Sequence, residues 1–283
     1  MSIVPGALYV VATPIGNLAD VSQRALDVLA QVDLILAEDT RHSAKFLKHY
    51  AIHTPVQACH DHNERKQVGG IIRRLEESST VALISDAGTP LISDPGFLLV
   101  ATARARGIRV IPVPGPSAII CALSVAGLSP DRFVFEGYLP ARPSARRKRL
   151  DELAGETRTL VFFEAPHRLV ASLEDMIRSF GPDRNAAVLK ELTKLHETIC
   201  RDRLIHLRDW CGEEAGRQKG EFVLIVEGAG NREMDDAEAA RVLKVLMKAL
   251  SVRESASLAA EILHANKNRL YRLALKLRGS VGS

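Results

Sequence analysis

Short apolar runs alternate with amphipathic stretches along the first part of the chain. The runs Leu8–Thr13, Leu34–Ala37, Val81–Ile84 and Val110–Val113 are short and are mostly followed by polar, Gly or Pro residues, which is typical of buried strands. Apolar residues at helical spacing predict helices after them, which we place around 25–29, 44–47, 63–77, 98–106 and 117–125. Because strands and helices alternate, we expect parallel strands joined by crossover helices.

The second part of the chain predicts another α/β unit and then a helical segment. Strands are predicted at 133–138, 159–163, 186–190 and 221–226, with a helix at 169–180. After Gly228–Asn231, helices are predicted at 235–249, at 255–263, and from Asn266 or Asn268 through Leu277; the last two resemble a helix-turn-helix. We therefore predict domains at 1–116, 117–230 and 231–283, with the first boundary near Pro114–Ser117.

Composition narrows the class of protein. The 283 residues are 46% hydrophobic and 25% charged, as in ordinary globular proteins, and no apolar run reaches the roughly 20 residues of a membrane helix. The first residues lack the features of a secretory signal. Cys59, Cys121, Cys200 and Cys211 form no C-x-x-C pair, so we expect reduced thiols, no metal site and a cytoplasmic protein.

Two loops rich in Gly and Pro follow predicted strands, at Ser85–Gly96 and Val113–Ala118. Ligands of open α/β sheets bind at the carboxyl ends of strands, so we place the site there. The loop Thr13–Leu18 has a single Gly, which argues against a dinucleotide fingerprint. Helix or turn capping is the alternative role for Asp86, Ser93, Asp94 and Ser117.

Charged residues stand at four strand ends: 38–42, 164–168, 190–191 and 219–221. Each could be solvated surface, but four of them at one cleft indicate a site. Two further segments, 140–150 and 264–278, each carry five Lys or Arg and no acid. Such clusters are typical of phosphate-backbone binding, and a solvated basic face is the alternative. The net charge of +4 permits a polyanionic partner without requiring one.

Six motifs together carry a family resemblance. They are Thr13–Leu18, Glu38–Arg41, Ser85–Pro90, Val113–Ala118, Phe163–Arg168 and Lys219–Glu221, in this order over nearly the whole chain. In them the chain closely resembles the bacterial 16S rRNA (cytidine-2′-O)-methyltransferases of the tetrapyrrole methylase superfamily. The resemblance implies two α/β domains with an S-adenosylmethionine cleft between them, plus a small helix-turn-helix-like C-terminal extension.

The same resemblance implies partners and residue roles. It implies a homodimer that acts on the 2′-hydroxyl of one cytidine in the decoding region of 16S rRNA in the small ribosomal subunit, without a membrane partner. The cofactor would be held by Pro14, Asp86, Gly88, Thr89, Pro90, Ser117 and Ala118 from the first domain, and by Phe163, Leu192, Gly220 and Phe222 from the second.

Methyl transfer needs alignment of the attacking oxygen, and a ribose hydroxyl also needs help in losing its proton. The candidate bases are Glu38, Asp39, Glu164 and Glu221, and the sequence does not rank them. Arg41, Arg168 and Lys219 are candidates to hold phosphate or favour the alkoxide. We predict a catalytic group of Glu38, Asp39, Arg41, Arg168 and Glu221.

Two other functions are compatible with the chain. One is methylation of a small tetrapyrrole-like molecule, which would leave the basic clusters without a role. The other is a non-catalytic RNA-binding factor in ribosome assembly, which would leave the intact cofactor loops without a role.

Overall fold

The computed structural model describes residues 3–61, 63–230, 236–263 and 265–279. The chain forms two compact units, Met1–Gly228 and Ala229–Ser283. The first unit contains two five-stranded sheets, and the second contains three helices. The predicted boundary between 1–116 and 117–230 lies inside the first unit and stays a prediction.

The first sheet is parallel throughout, which confirms the expectation from the alternating strands and helices. Its strands lie in the order β3-β2-β4-β1-β5. The strands are β1 (Leu8–Val11), β2 (Leu34–Ala37), β3 (Val56–Ala58), β4 (Val81–Ile84) and β5 (Val110–Val113). The helices are α1 (Gln23–Gln31), α2 (Thr40–His49), α3 (Glu64–Glu76), α4 (Phe97–Ala105) and α5 (Ala118–Val125). The predicted first strand was too long, because β1 ends at Val11.

Both faces of this sheet are buried. Tyr9 and Ile35 pack into one apolar cluster, whereas Leu8 and Leu36 pack into another on the opposite face. Successive strand residues point to opposite faces, so near-continuous apolar runs such as Leu34–Ala37 supply both clusters at once. This packing fixes the carboxyl ends of β1, β2 and β4, where the predicted site lies.

Ser22 caps a helix, whereas the capping candidates Ser117 and Asp86 make no capping hydrogen bond to a helix. Ser22 caps α1, since its Oγ accepts the Ala25 N–H at 3.1 Å. Ser117 occupies the N-cap position of α5, but its side chain makes no capping hydrogen bond. Asp86 caps no helix; its Oδ1 accepts the N–H of Asp39 at 3.1 Å. Ser117 and Asp86 therefore keep side-chain oxygens at the strand ends.

The second sheet is mixed, with strand order β6-β7-β10-β8-β9. Its strands are β6 (Phe133–Tyr138), β7 (Thr159–Glu164), β8 (Asn185–Lys190), β9 (Thr198–Arg203) and β10 (Phe222–Val226), and its helices are α6 (Pro143–Leu153), α7 (Leu169–Phe180) and α8 (Leu204–Glu213). Only β6 and β7 pair in parallel. Because β10 runs antiparallel between β7 and β8, its first residue Phe222 lies opposite Glu164 and Lys190. The charged ends of three strands meet there.

The basic segment 140–150 is largely neutralised within its own unit. Arg146 is buried and binds Asp175 at 2.7 Å, and Arg147 binds the other carboxylate oxygen of Asp175 at the same distance. Arg149 pairs with Glu136 and Glu152. Three of the five cations that suggested phosphate binding therefore have carboxylate partners, which weakens that interpretation of this segment.

The second unit is a three-helix bundle of α9 (Asp236–Leu246), α10 (Val252–Ile262) and α11 (Lys267–Gly279). Its core includes Leu243, Ala256 and Leu270. Asn266 begins α11, because its Oδ1 accepts the N–H groups of Asn268 and Arg269. The predicted helix start at Asp235 and His264, the first residue of the basic segment 264–278, lie outside the described residues. No helix in the described ranges is both long and apolar enough to cross a membrane.

Candidate active site

A cavity of about 320 Å³ opens between the two sheets of the first unit. We call it the central cavity. Its walls come from the loop after β4, the start of α5, the end of β7 and the start of β10. Nine of the eleven predicted cofactor residues line it: Asp86, Gly88, Thr89, Ser117, Ala118, Phe163, Leu192, Gly220 and Phe222. Pro14 and Pro90 do not line it, although their neighbours Ile15 and Thr89 do.

Backbone hydrogen bonds fix the first wall. Thr13 and Gly88 exchange two of them, at 2.9 and 3.1 Å. Thr89 donates its hydroxyl to the Pro116 carbonyl at 3.1 Å, which ties the two predicted Gly/Pro loops together. Gly88 has φ +80°, and an added Cβ would lie 3.3 Å from Ile15. A glycine is needed here because the conformation is left-handed and the space is small.

The loop after β4 continues in unusual backbone conformations. Leu91 and Ser93 have positive φ angles of 75° and 67° without being glycine. Such residues store strain and occur at functional sites. Ser93 Oγ would lie 3.3 Å from a Cβ on Gly137 of β6, so this loop meets the second sheet there. Ser93 and Asp94 both line the cavity, although neither was among the predicted cofactor residues.

A buried charge network supports the second wall. The side chain of Glu164 is fully buried and accepts hydrogen bonds from the Ser172 hydroxyl at 2.5 Å and the Ala165 N–H at 2.8 Å. It also pairs with Arg168 at 2.9 Å. With its oxygens so occupied, Glu164 is better suited to position Arg168 than to accept a proton from a substrate.

Arg168 has one buried donor to spare. Its guanidinium donates to the Leu139 carbonyl at 3.2 Å as well as to Glu164. Its Nε is buried and has no hydrogen-bond partner within the described part of the chain. Arg168 does not itself line the central cavity, although Glu164, Ala165 and Pro166 do.

Five acidic residues crowd the region after β2, β3 and β4. Partial burial and the charges of Asp94, Asp86, Asp61 and Asp39 raise the pKa of Glu38 to about 7. Burial and neighbouring acids also raise the pKa of Asp94 to about 6, although a hydrogen bond from Ser85 opposes the rise. Asp94 lines the cavity, whereas Glu38 does not; Glu38 is near enough to Asp94 and Asp86, which both line it, for their charges to raise its pKa.

Asp39 and Arg41 face outward. Arg41 is 91% exposed and pairs with Asp39 at 3.2 Å. Hydrogen bonds from the side chain and the backbone N–H of Arg41 lower the pKa of Asp39 to about 2. Neither residue lines the central cavity, but the N–H of Asp39 reaches Asp86, which does.

Glu221 lies on the rim of the cavity beside an unpredicted lysine. Lys194 Nζ lies 2.9 Å from Glu191 and 3.0 Å from Glu221. Next to this lysine, Thr193 Oγ1 accepts the N–H of Asn17 at 3.1 Å. Segment 191–194 therefore joins the loop after β1 to the second sheet. The only sequence feature that could have indicated this ion pair is the Glu–x–x–Lys spacing directly after β8.

Other wall residues were missed for a common reason: they are apolar, and an apolar residue at a strand end carries no chemical signature. Ile15, Ile119, Leu189 and Val223 belong to this group. Tyr138 ends β6 and also lines the cavity, with its pKa raised by burial and nearby acids. Among the residues described, no cluster of three or more His, Cys, Asp or Glu is arranged to hold a metal ion.

Two family patterns match the chain in succession. That of the tetrapyrrole (corrin/porphyrin) methylases matches residues 7–207, and that of the RsmI C-terminal HTH domain matches residues 233–278. Among solved structures, cobalt precorrin-4 methyltransferase, a cobalamin biosynthetic enzyme, superposes with a TM-score of 0.59 at 19% identity. It covers 78% of this chain and 95% of its own. A uroporphyrin-III C-methyltransferase from Thermus thermophilus, complexed with S-adenosylhomocysteine, superposes with a TM-score of 0.55 at 17% identity. The superposition covers 78% of this chain and 97% of that enzyme.

Sequence relatives are much more similar and extend over both units. The ribosomal RNA small subunit methyltransferase I of Pseudomonas aeruginosa is 54% identical over 277 residues, which is 97% of this chain and 98% of the relative. The protein of the same name from Escherichia coli O157:H7 is 50% identical, covering 97% and 96%. Identity at this level over both units shows that the chain belongs to the tetrapyrrole methylase family and, within it, to the ribosomal RNA small subunit methyltransferases I.

Proposed function

We propose that this protein transfers a methyl group to the ribose 2′-hydroxyl of one cytidine in the decoding region of 16S rRNA. The central cavity carries the proposal, because its walls unite nine residues predicted to hold the methyl donor. The relatives named ribosomal RNA small subunit methyltransferase I support the choice of RNA as the substrate.

The residues of the central cavity fit S-adenosylmethionine, the cofactor of this family. The cavity has the volume of a small-ligand site, mostly apolar walls and a few polar groups. Ser117 keeps a hydroxyl that caps no helix, and Gly88 leaves room that a Cβ would fill. When bound, the cofactor supplies an electrophilic methyl group on a positively charged sulfur.

Different residues of the cavity walls suit different parts of the cofactor. Ile15, Ile119, Phe163 and Leu192 offer apolar surface for the adenine ring. The carboxylates of Asp86 and Asp94 favour positively charged groups in the cavity. The Ser117 hydroxyl can donate to a cofactor oxygen.

Glu38 is our leading candidate for the general base. Its raised pKa of about 7 gives it both a useful basicity and a substantial ionised fraction near neutral pH. Arg168, held by Glu164 with one free buried donor, is the candidate to stabilise the attacking oxygen or an adjacent phosphate. Asp39 orients Arg41 at the surface, where the arginine can contact an RNA phosphate. Glu221 forms part of the rim of the central cavity.

The helical unit supplies a second contact with RNA in this proposal. Its helix α11 carries Lys267, Arg269, Arg272, Lys276 and Arg278 and no acidic residue. Such a basic helix suits phosphate contacts. We further propose that the protein acts in the cytoplasm as a homodimer. The family resemblance supports the dimer.

The direct test is methyl transfer from labelled S-adenosylmethionine to small ribosomal subunits from cells that lack this protein. Mass spectrometry would map the modified nucleotide. We expect one ribose-methylated cytidine. No transfer to subunits or to free rRNA, despite measured cofactor binding, would favour a small tetrapyrrole-like substrate instead. A protein that binds RNA but not the cofactor would be an assembly factor.

A further inference from the structure

A second cavity, of about 720 Å³, shares Gly220 with the central cavity. It lies at the end of β8, the end of α8 and the segment that precedes β10. We call it the Trp210 groove and define it by Lys190, Leu195, Trp210, Arg217 and Lys219. The sequence predicted a site at the charged strand ends 190–191 and 219–221, which border this groove, but no role for Leu195, Trp210 or Arg217.

The floor of the groove is a flat stack of an aromatic ring and a guanidinium group. Arg217 lies over the indole of Trp210, with its Cζ 4.7 Å from the ring centroid. The same arginine donates to the Trp210 carbonyl at 2.9 Å, and Gln218 donates to the Cys211 carbonyl at 3.1 Å. These bonds fasten the turn 215–218 to the end of α8, so the stack is preformed.

Three carboxylates line the groove, and two of them are paired with cations. Glu191 binds Lys194, Glu214 binds Arg217, and Glu197 accepts the Thr193 N–H at 2.7 Å. Lys190 donates instead to an uncharged acceptor, the Gly216 carbonyl, at 2.6 Å. Within the described ranges Lys219 has no carboxylate at ion-pair distance. Among the described residues, Lys190 and Lys219 are thus the groove lysines without a carboxylate at ion-pair distance, although the charge of Lys190 still reaches Glu191 and lowers its pKa.

Planar stacking surfaces next to unneutralised cations are how proteins hold single-stranded RNA. Bases stack on aromatic rings or guanidinium planes, while lysines contact the phosphates. Leu195, 93% exposed at the edge of the groove, adds apolar surface beside the stack. Because the groove meets the central cavity at Gly220, a strand with one ribose in the cavity can reach it with a neighbouring nucleotide.

We infer that the Trp210 groove binds a nucleotide that flanks the methylated cytidine in single-stranded RNA. Its base stacks on Arg217 and Trp210, and its phosphate contacts Lys190 and Lys219. This inference rests on the proposed function and deepens it, since it assigns the recognition of flanking RNA to the catalytic unit as well as to the basic helix.

Two conservative variants separate stacking from charge. Arg217→Lys keeps the charge but removes the planar group, and Lys190→Gln removes the charge but keeps a donor for Gly216. Lys66→Gln on α3, an exposed lysine remote in sequence from the groove residues, is the matched control. The probe is a fluorescein-labelled single-stranded RNA that spans the proposed target region, titrated into the full chain at several salt concentrations.

For Arg217→Lys we expect the Kd for this RNA to rise about 5-fold or more, the equivalent of one lost base stack. For Lys190→Gln we expect the salt slope of log K to become shallower by about 0.7, as for one lost phosphate contact. With small subunits, both variants should raise KM and leave kcat and the Kd for S-adenosylmethionine near wild type. Lys66→Gln should match wild type in every measurement.

Unchanged RNA affinity and salt slope in both groove variants would overturn the inference. If those variants instead altered the sedimentation of the protein, the groove would belong to a contact with a second copy of the chain. Failure of the proposed function is distinguishable, because it shows as absent methyl transfer by the wild type. The RNA titration tests the groove in either case.

Discussion

The two walls of the central cavity are held in place by different kinds of interaction. The wall from the first sheet is set by backbone geometry: the Thr13–Gly88 hydrogen-bonded pair, a left-handed glycine, and two non-glycine residues with positive φ. The wall from the second sheet is set by side-chain charges: Glu164 with Arg168, and Lys194 between Glu191 and Glu221. One wall has its shape fixed by the chain itself, and the other by pairs of charges.

The difference suits the two things that meet in the cavity. A cofactor of constant shape is well served by a rigid backbone surface, which holds its position without side-chain rearrangement. A reacting hydroxyl and its phosphates need charge that is already oriented, which buried pairs supply. We therefore expect changes in the first wall to weaken cofactor binding most, and changes in the second to impair chemistry or folding most.

The largest expected effect follows from removing the buried acid of the second wall. Glu164→Ala leaves the mostly buried guanidinium of Arg168 without its carboxylate, and such losses lower the free energy of unfolding by about 3–5 kcal/mol. Urea unfolding followed by fluorescence measures this, because Trp210 is the only tryptophan and lies in the same unit.

The double variant Glu164→Ala/Arg168→Ala controls for the unpaired charge. It should lose less stability than the sum of the two single variants, because it leaves no buried charge alone. A loss below about 1 kcal/mol in Glu164→Ala would mean that water reaches Arg168, and that charge does not set this wall.

The matching change in the first wall is Gly88→Ala. At φ +80° an alanine costs about 1–2 kcal/mol, and its Cβ would press on Ile15. We expect weaker binding of S-adenosylmethionine, measured by calorimetry, together with this smaller loss of stability. Gly155→Ala is the control, because an added Cβ there meets no atom within 4 Å. Equal cofactor affinity in Gly88→Ala and wild type would contradict a rigid first wall.

The stability of the protein should depend on pH through the acids beside the first wall, above all Glu38. The folded pKa of Glu38, about 7, lies above its usual 4.5, so the protonated form is favoured in the folded state. Its contribution to stability is therefore complete below about pH 4.5 and is lost as the pH rises through about 7. Between pH 4.5 and 8, the thermal midpoint of Glu38→Gln should change less with pH than that of the wild type. The pH dependence that is left comes from Asp94, whose pKa is also raised.

The rate of methyl transfer should show the opposite trend in the wild type. If Glu38 is the base, the rate rises with pH toward a plateau above about 7, because only the ionised carboxylate accepts a proton. Glu38→Gln should be strongly impaired at every pH while still binding the cofactor. The same midpoint in a still-active Glu38→Gln protein would transfer the role of base to another group.

The sequence predicts four of the five strands in each sheet and misses one edge strand in each, β3 (Val56–Ala58) and β9. Buried parallel strands such as Leu34–Ala37 are apolar throughout and stand out. Strand β9, Thr198–Arg203, is an exposed edge strand rich in charge, and α6 replaces apolar core residues with Arg146, whose partner Asp175 lies far along the chain. The hydrophobic patterns of β9 and α6 therefore predicted neither a strand nor a helix. Pro143 in the first turn of α6 was nevertheless a signal for a helix start.

Local signals that were present could have improved the prediction of the helical unit. Helix α10 begins at Val252, three residues before the predicted start, because Ser251 and Glu254 form a capping box. That Ser-x-x-Glu spacing is visible in the sequence. By contrast, the pKa of Glu38 depends on burial and on acids from three separate segments, so only the fold could reveal it.

The smallest expected effect on stability comes from Arg41, which belongs to neither wall. Its guanidinium is 91% exposed and pairs only with Asp39, so Arg41→Ala should leave the thermal midpoint and the Kd for S-adenosylmethionine unchanged. If Arg41 holds an RNA phosphate, the same variant should raise KM for small subunits and weaken the salt dependence of binding. Arg106→Ala, which breaks another exposed pair with Glu76, is the control and should change nothing. Equal losses of cofactor affinity and activity in Arg41→Ala would instead connect this exposed arginine, through Asp39 and its contact with Asp86, to the rigid first wall.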